Sequence, residues 1–341
     1  MTHATRRPEV PTGGMVRATG ALACAAVLGV LAGCSDMPSG AEAVTAELVA
    51  RDGAVRPVTG RGVPGVVQVT SSGMSFDAPE SISAGWTTFR YQNRTPVTHF
   101  FVLERMPEGK TVADSEAEVV PVFQDAMDLI VAGDPEAGFA EFGRLPAWFF
   151  DVAFMGGPGL VAPGGTAQTT VYLEPGTYVI ECYVKTPGGI FHSALGMLRG
   201  LTVTEEWSDA TEPEASVMVS IGDAGITLDG EPRPGMRTFG VRFDQQQPHE
   251  HFIGHDVHLA RLEDDTDLDA LAAWMDWSAV EGLTTPAPAT FLGGTQELPA
   301  GATSYFTARL EPGRYALVAE VPDPASKGML VTFDVPSARA D

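Results

Sequence analysis

The sequence predicts a mainly β protein built from two tandem β-sandwiches, each with a helical insertion. Three observations favour this class: short runs rich in β-branched and aromatic residues, turn residues that bound them at regular intervals, and an internal repeat. Runs of this kind between Gly, Pro and Asn are typical of sandwiches and barrels. The predicted strands include Val66–Thr70, Thr87–Tyr91, His99–Leu103, Thr169–Leu173 and Tyr178–Val184.

The internal repeat fixes the number of domains more firmly than chain length does. The segment LEPGTY at 173–178 returns as LEPGRY at 310–315, and the Gly-Gly pair at 156–157 returns at 293–294. His99 stands six residues before Arg105, as His255 stands six before Arg261. We therefore expect one domain over residues 62–205, a second and more degenerate one over 216–338, and an acidic linker over 206–215.

Both copies contain a run with helical spacing of apolar residues. In the first copy this run covers about residues 115–132, and in the second about 267–277. The acids that precede the second run, from Glu263 to Asp269, favour the N-terminal dipole of a helix. They also allow loose calcium binding, although the glycine and the spacing of an EF-hand loop are missing.

The N-terminal 33 residues have the pattern of an export signal. A basic leader is followed by an apolar stretch from Ala21 to Leu31, which is shorter than the roughly 20 residues that span a bilayer. The stretch ends in Leu31-Ala32-Gly33-Cys34, which resembles the cleavage box of bacterial lipoproteins. The resemblance implies removal of residues 1–33, diacylation of Cys34 (with fatty acids such as palmitate), and anchorage on the extracytoplasmic face of the cell membrane. Residues 34–61 then form a flexible tether.

Charge and cysteine content narrow the function. The leader holds three of the 21 basic and one of the 44 acidic side chains, so the mature chain carries 18 and 43. Such an acidic surface excludes nucleic acid as a partner. Cys24 is lost with the leader and Cys34 takes the lipid, which leaves Cys182 as the single free thiol. A lone thiol in an exported protein is either a small buried hydrophobe or a metal ligand.

The repeated unit resembles the cupredoxin family, the small blue copper proteins, and the resemblance implies two tandem cupredoxin-like Greek-key β-sandwiches. The resemblance lies in an early Asn93 to His99 segment, a Leu-x-Pro-Gly-x-Tyr strand, and a closing segment with Cys182, His192 and Met197. It implies a copper site in the first domain, with His99, Cys182 and His192 as a trigonal set and Met197 as a weak axial ligand. Alternation in the strand supports an inward Cys182, since Tyr178 and Ile180 share its face.

One spacing departs from the family. Nine residues separate Cys182 from His192, more than in typical blue copper loops, although the four between His192 and Met197 agree with them. A hairpin at Thr186–Gly189 offers a way to return His192 to Cys182. The alternative is a metal-free sandwich in which Cys182 and Met197 pack in the core.

The second copy lacks such a set, because Ala319 aligns with Cys182 and no histidine follows it. It contains instead a group of four histidines, from His249 to His258. On an extended strand His249 and His251 would share a face and chelate a metal, or the group forms a pH-sensitive surface or a polar loop. Repeated His-x-His pairs, a nucleophile elbow, a phosphate loop and a dinucleotide fingerprint are missing. We therefore expect no enzyme.

The expectation is thus an extracytoplasmic lipoprotein that binds copper for electron transfer or copper handling, with a redox or surface protein as partner. The alternative is a pair of metal-free modules that present loops to a protein or ligand.

Overall fold

The structure, a computed structural model, describes residues 65–337. The predicted signal peptide, Cys34 and the tether lie outside the described residues. Within them, no helix is long and apolar enough to cross a membrane.

Sixteen strands dominate the described chain, and the predicted mainly β class is confirmed. The first half contains β1 Val66–Ser71, β2 Phe76–Asp77, β3 Ser81–Asn93, β4 Val102–Arg105, β5 Ala153–Phe154, β6 Thr166–Leu173, β7 Gly176–Glu181 and β8 Leu198–Trp207. The second half contains β9 Val217–Gly222, β10 Gly225–Asp229, β11 Gly235–Phe243, β12 Val257–Leu262, β13 Thr290–Thr295, β14 Thr303–Leu310, β15 Gly313–Val318 and β16 Leu330–Val335.

The two halves repeat the same strand pairings. In the first half β1 pairs with β2 and, in parallel, with β3; β3 pairs with β6; and β4 pairs with β5 and β7, which pairs with β8. The second half reproduces each of these pairs with its own eight strands in the same order. The internal repeat of the sequence is therefore a repeat of topology as well.

The halves join edge to edge, because β14 of the second half pairs antiparallel with β6 of the first. The larger sheet runs in the order β10-β9-β11-β14-β6-β3-β8-β7-β4-β5, and the smaller one in the order β13-β12-β15-β16. Strand β3 takes part in both layers of the first half. It changes layer at Gly85, whose φ of 100° is open to glycine at little cost. The predicted division into two domains stays a prediction beside this shared sheet.

The helical insertions occur where the sequence places them. Between β4 and β5 lie α1 Val112–Asp114, a π-helical turn Ser115–Val119, α2 Val120–Val131 and α3 Pro135–Glu141; between β12 and β13 lies α4 Leu268–Trp274. The predicted helix over 115–132 starts as a π turn because Pro121 has no N–H to bond to the carbonyl four residues earlier. Asp267 caps α4 by accepting from the N–H groups of Asp269 and Ala270, so the acids there open a helix as expected.

Helix α3 was not expected from the sequence. Gly138 in its middle lowers its helix propensity. The glycine is required by packing instead, since a Cβ there would stand 2.6 Å from the Ala126 carbonyl oxygen of α2. Tertiary contact therefore decides this helix.

A candidate metal centre in the first half

His99 reaches the site from a loop that a single asparagine fixes. The Asn93 side chain, at the end of β3, donates to the carbonyls of Val97 at 2.7 Å and Val161 at 3.0 Å. Its oxygen accepts the N–H of Thr95 at 3.0 Å. His99 itself forms a backbone bridge with Val161 and is fully buried. These contacts hold the imidazole in one place before any ion binds.

Cys182 lies one residue beyond the end of β7. Its N–H donates to the Met197 carbonyl at 3.1 Å, and its thiol is fully buried. The Sγ atom accepts hydrogen bonds from the backbone N–H groups of Phe100 and Val184. The predicted strands His99–Leu103 and Tyr178–Val184 are therefore wrong at the ends that meet at the thiol. There the N–H groups of Phe100 and Val184 face the sulfur instead of a neighbouring strand.

A hairpin brings His192 back to Cys182, as the long spacing requires. The turn Thr186–Gly189 contains two glycines with φ of 98° and 90°, which non-glycine residues rarely adopt. Thr186 donates its N–H to the Ile190 carbonyl at 2.8 Å, and His192 donates its own to the Val184 carbonyl at 2.8 Å. The nine residues between Cys182 and His192 therefore form a short hairpin, which places the histidine beside the thiol.

The structure brings His99, Cys182 and His192 together, with their donor atoms converging on one point. The two Nδ1 atoms are 3.0 Å apart, and Sγ lies 3.6 Å from Nδ1 of His99 and 3.7 Å from Nδ1 of His192. Metal–nitrogen bonds of about 2.0–2.1 Å and a metal–sulfur bond of about 2.3 Å place donors in a trigonal plane about 3.6–3.8 Å apart. The sulfur distances fit this closely, and the nitrogens need to part slightly.

The other ring nitrogens of the two histidines take no part in this convergence. Nε2 of His99 and Nε2 of His192 are both buried, and neither has a hydrogen-bond partner among the described residues. Buried imidazoles usually satisfy both nitrogens within the protein. Here the polar atoms that do converge are Nδ1 and Sγ, which are the donor types that copper and zinc take. The residues present therefore fit such an ion.

Burial controls the protonation of all three groups. It lowers the pKa of His99 to about 3, with a further contribution from the neighbouring His192, and lowers the pKa of His192 to about 4. Burial also raises the pKa of the Cys182 thiol to about 12. Both imidazoles are therefore neutral near pH 7 and ready to ligate, whereas the thiol keeps its proton until a cation displaces it.

Met197 lies on the same loop as His192. Its N–H donates to the His192 carbonyl at 2.9 Å, and its side chain is fully buried in the core. Together with the bond from Cys182 to its carbonyl, this fixes the methionine beside both residues. The predicted role of Met197 as an axial ligand stays a prediction.

A cavity of about 70 Å³ with acidic side chains in its wall adjoins this centre between the two halves. Burial raises the pKa of Glu104 well above its usual value, and the neighbouring Glu181 adds to the rise. Burial also raises the pKa of Glu297, across the cavity, to about 8. Aromatic side chains complete the wall, chiefly Phe123, Phe149, Phe252, Trp277 and Tyr183. We name this the acidic cavity. No sequence motif predicted it, because its acids come from separate segments of the chain.

A second group of possible ligands lies in the second half. Ligand atoms of Asp256, His258 and Glu320 stand within 4.8 Å of one another, and all three residues are buried. However, Nδ1 of His258 accepts the N–H of Leu160 at 3.0 Å, so the ring proton is on Nε2, which donates to Asp256 at 2.6 Å. Both nitrogens are occupied, and this histidine is structural.

The expected chelation by His249 and His251 on an extended strand is wrong. Residues Glu250–Phe252 form a 3₁₀ turn, in which His251 has a left-handed φ of 64°. The His251 ring stacks on Phe139, with 4.2 Å between centroids, whereas His249 lies beside His255, with 5.0 Å between centroids. The left-handed turn, which the sequence pattern does not reveal, separates the two rings.

Comparison with known proteins gives similarity in structure alone. No family model matches this chain, and no curated protein matches it significantly. Similar solved structures include auracyanin A, a "blue" copper protein from Chloroflexus aurantiacus, at 23% identity over 41% of this chain and 98% of that one, with a TM-score of 0.26. Auracyanin from Roseiflexus castenholzii matches at 21% identity over 42% and 99%, also with a TM-score of 0.26.

Copper nitrite reductase from Nitrosomonas europaea spans both halves. It covers 81% of this chain and 94% of its own length, at 11% identity and a TM-score of 0.21. The assignments that follow depend on the geometry of this chain's own residues.

Proposed function

We propose that this protein is an exported lipoprotein that binds one copper ion in its first half and serves in electron transfer or copper handling. The observation that carries the proposal is the convergence of two imidazole nitrogens and one thiol sulfur within 3.0–3.7 Å of one another, at a fully buried point. Two histidines and one cysteine, with a methionine nearby, are the donor set of blue copper sites.

Each residue has a separate part in this proposal. His99 and His192 supply neutral nitrogens, Cys182 supplies a thiolate once its proton has left, and Met197 supplies a weakly bound thioether. The N–H groups of Phe100 and Val184 stabilise negative charge on the sulfur. Bound copper would supply one-electron chemistry. Because the protein holds these ligands in place before copper binds, little of the protein has to move when the charge of the ion changes.

We propose a carrier rather than an enzyme. All four predicted ligands are fully buried. An electron can pass through protein to a buried metal, whereas a substrate would have to touch it. Burial therefore favours electron transfer over catalysis. The partner on this proposal is a redox or surface protein at the membrane. Anchorage through Cys34 is proposed from the sequence Leu31-Ala32-Gly33-Cys34.

The test of copper binding is a titration of the chain from residue 34 onward, with Cys34→Ser so that Cys182 is the single thiol. We expect Cu²⁺ to produce the intense visible band of a copper–thiolate bond, and Cys182→Ala to abolish it. Met197→Leu should shift the band, because the axial ligand tunes the site. Met329→Leu is the matched control in the second half and should leave the band unchanged.

A colourless protein whose thiol stays protonated would contradict the copper proposal and favour the metal-free alternative. A band that survives Cys182→Ala would contradict the ligand assignment alone. The anchor is tested separately, by membrane fractionation of cells that express the full chain or its Cys34→Ala variant. We expect the variant to leave the membrane fraction, and equal retention of both would contradict lipidation at Cys34.

A further inference from the structure

We infer that His249 and His255, in the second half, form a separate binding site for a transition-metal ion that prefers imidazole, Cu²⁺ or Zn²⁺. The inference is independent of the copper centre proposed above, since it uses other residues in the other half. It concerns the two histidines that the structure brings side by side, and neither His251 nor His258.

The orientation of His255 is the first observation. Its Nδ1 lies 3.0 Å from the carbonyl oxygen of Gln245, and a carbonyl can only accept, so Nδ1 carries the ring proton. Nε2 of a neutral ring then holds a free lone pair. That atom is buried, in a fully buried residue, and has no hydrogen-bond partner among the described residues. Metal-binding histidines almost always donate their other ring N–H in this way.

His258 shows what a structural histidine looks like in the same half. Its two nitrogens contact Leu160 and Asp256, so its hydrogen-bonding capacity is complete. His255 leaves one nitrogen without a partner, which carries a desolvation cost unless something binds there. The contrast favours a ligand for His255 over a purely structural part.

His249 supplies the second nitrogen. Its Nε2 is likewise buried and without a partner in the described part of the chain, and its ring centroid is 5.0 Å from that of His255. With metal–nitrogen bonds of about 2.0–2.1 Å, two imidazoles on one ion stand about 5–6 Å apart between centroids. The spacing of the two rings therefore agrees with that of two imidazoles on one ion.

The surroundings favour a cation that can enter and leave. His249 is half-buried rather than enclosed, unlike His99 and His192. The carboxylates of Glu250 and Asp223 act on His249 electrostatically, and both lie on the surface. Lys327, the nearby cation, is engaged by Glu250 at 3.5 Å. Because imidazole sites bind Cu²⁺ more strongly than Zn²⁺, copper is the stronger of the two probes.

The experiment uses the chain from residue 34 onward, with Cys34→Ser and without a histidine tag. The Cu²⁺ titration is monitored by electron paramagnetic resonance, because an ion held by imidazoles alone gives a spectrum distinct from that of a thiolate site. We expect a second Cu²⁺ without a thiolate band, with nitrogen couplings from two imidazoles. His249→Ala should weaken this ion by more than about 100-fold, since loss of a ligand exceeds the 10–100-fold effect of outer residues.

His251→Ala is the matched control, two residues away and stacked on Phe139, and it should retain the second ion. Zn²⁺ titration by calorimetry gives a second measurement that does not depend on the redox state of Cys182. Binding that is unchanged in His249→Ala, binding that is lost equally in His251→Ala, or the absence of any ion held by imidazoles alone would each overturn the inference. These outcomes can be measured even if no copper–thiolate band appears, so a failure of the copper centre and a failure of this second site are distinguishable.

Discussion

The two halves close their ligand loops with the same backbone bonds and different side chains. In the first half the N–H of Cys182 donates to the Met197 carbonyl at 3.1 Å. In the second half the N–H of Ala319 donates to the Met329 carbonyl at 2.9 Å. The two residues follow the same strand of the repeat, β7 and β15. The methionine and the backbone around it are therefore present twice, and the thiol once.

The histidine on this loop is likewise present in the first half and replaced in the second. Met197 donates its N–H to His192 at 2.9 Å, and Met329 donates its N–H to Pro324 at 2.7 Å, five residues back in both cases. Pro324 thus occupies the backbone position of His192. The difference teaches that the fold supplies the geometry of the loop, while the proposed metal centre depends on which side chains the loop carries.

The largest difference that the comparison predicts is all-or-none. Cys182→Ala makes the first half like the second and should remove the thiolate band entirely, and adding Ala319→Cys and Pro324→His to that variant should create no new band. The reason is His255, the counterpart of His99, whose Nδ1–H is engaged by the Gln245 carbonyl and is not available to a metal. Visible spectroscopy of both variants with Cu²⁺ tests this. A band in the Cys182→Ala, Ala319→Cys, Pro324→His protein would show that backbone position alone suffices.

The next prediction contrasts two side chains that fix the histidine segments. Asn93 donates to Val97 and Val161 in the first half, and Gln246 donates to the carbonyls of His255 and Leu298 at 3.0 and 2.9 Å in the second. Each is replaced by alanine. Both variants should lose about 3–5 kcal/mol of unfolding free energy, because buried groups lose their partners.

Denaturant unfolding measures that loss, and the thiolate band separates the two variants. Only Asn93→Ala should weaken or broaden the band, because only Asn93 holds the His99 loop. Equal effects on the band would mean that the halves are coupled more closely than their separate hydrogen bonds indicate.

Sequence alone predicted the sandwich, the repeat and the three residues that converge in the first half. Alternation and the family resemblance sufficed for these, since both report on side-chain order along strands. The acidic cavity escaped prediction because Glu104, Glu181 and Glu297 lie on three separate segments that only the packed fold brings together. The pairing of His249 with His255 escaped for a different reason: it depends on the left-handed φ of His251, which is rare for a residue with a side chain.

The acidic cavity predicts a pH dependence of intermediate size. Burial raises the pKa of Glu297 to about 8 from about 4.5 in the unfolded chain. Between these values the unfolded chain gives up a proton that the folded chain keeps, so stability falls as pH rises. The loss by pH 7 is on the order of 3 kcal/mol. Glu297→Gln should remove this dependence, because a neutral amide still accepts the N–H of Gly254.

Unfolding free energies of the wild type and of Glu297→Gln at pH 4.5 and pH 7 measure the effect. We expect similar values at the lower pH and a more stable variant at the higher one. Glu174 is exposed, so Glu174→Gln is the control. Its stability relative to the wild type should not rise between pH 4.5 and pH 7. A wild type whose stability relative to the variant does not fall with pH would contradict a protonated Glu297.

The smallest predicted effect compares how much one equivalent salt bridge stabilises each half. Arg105 bonds to Glu174 at 2.8 Å and Arg261 bonds to Glu311 at 2.6 Å, at equivalent turns before β7 and β15. All four side chains are at least one-third exposed, so solvent screens both pairs and each contributes less than about 1 kcal/mol. Glu174→Gln and Glu311→Gln should therefore destabilise the protein slightly and equally, add in the double variant, and lose their effect in 1 M salt, where the Debye length is about 3 Å. Denaturant unfolding at two salt concentrations measures this. A larger cost for Glu174→Gln would mean that the half with the metal ligands depends more heavily on its turn than the half without them.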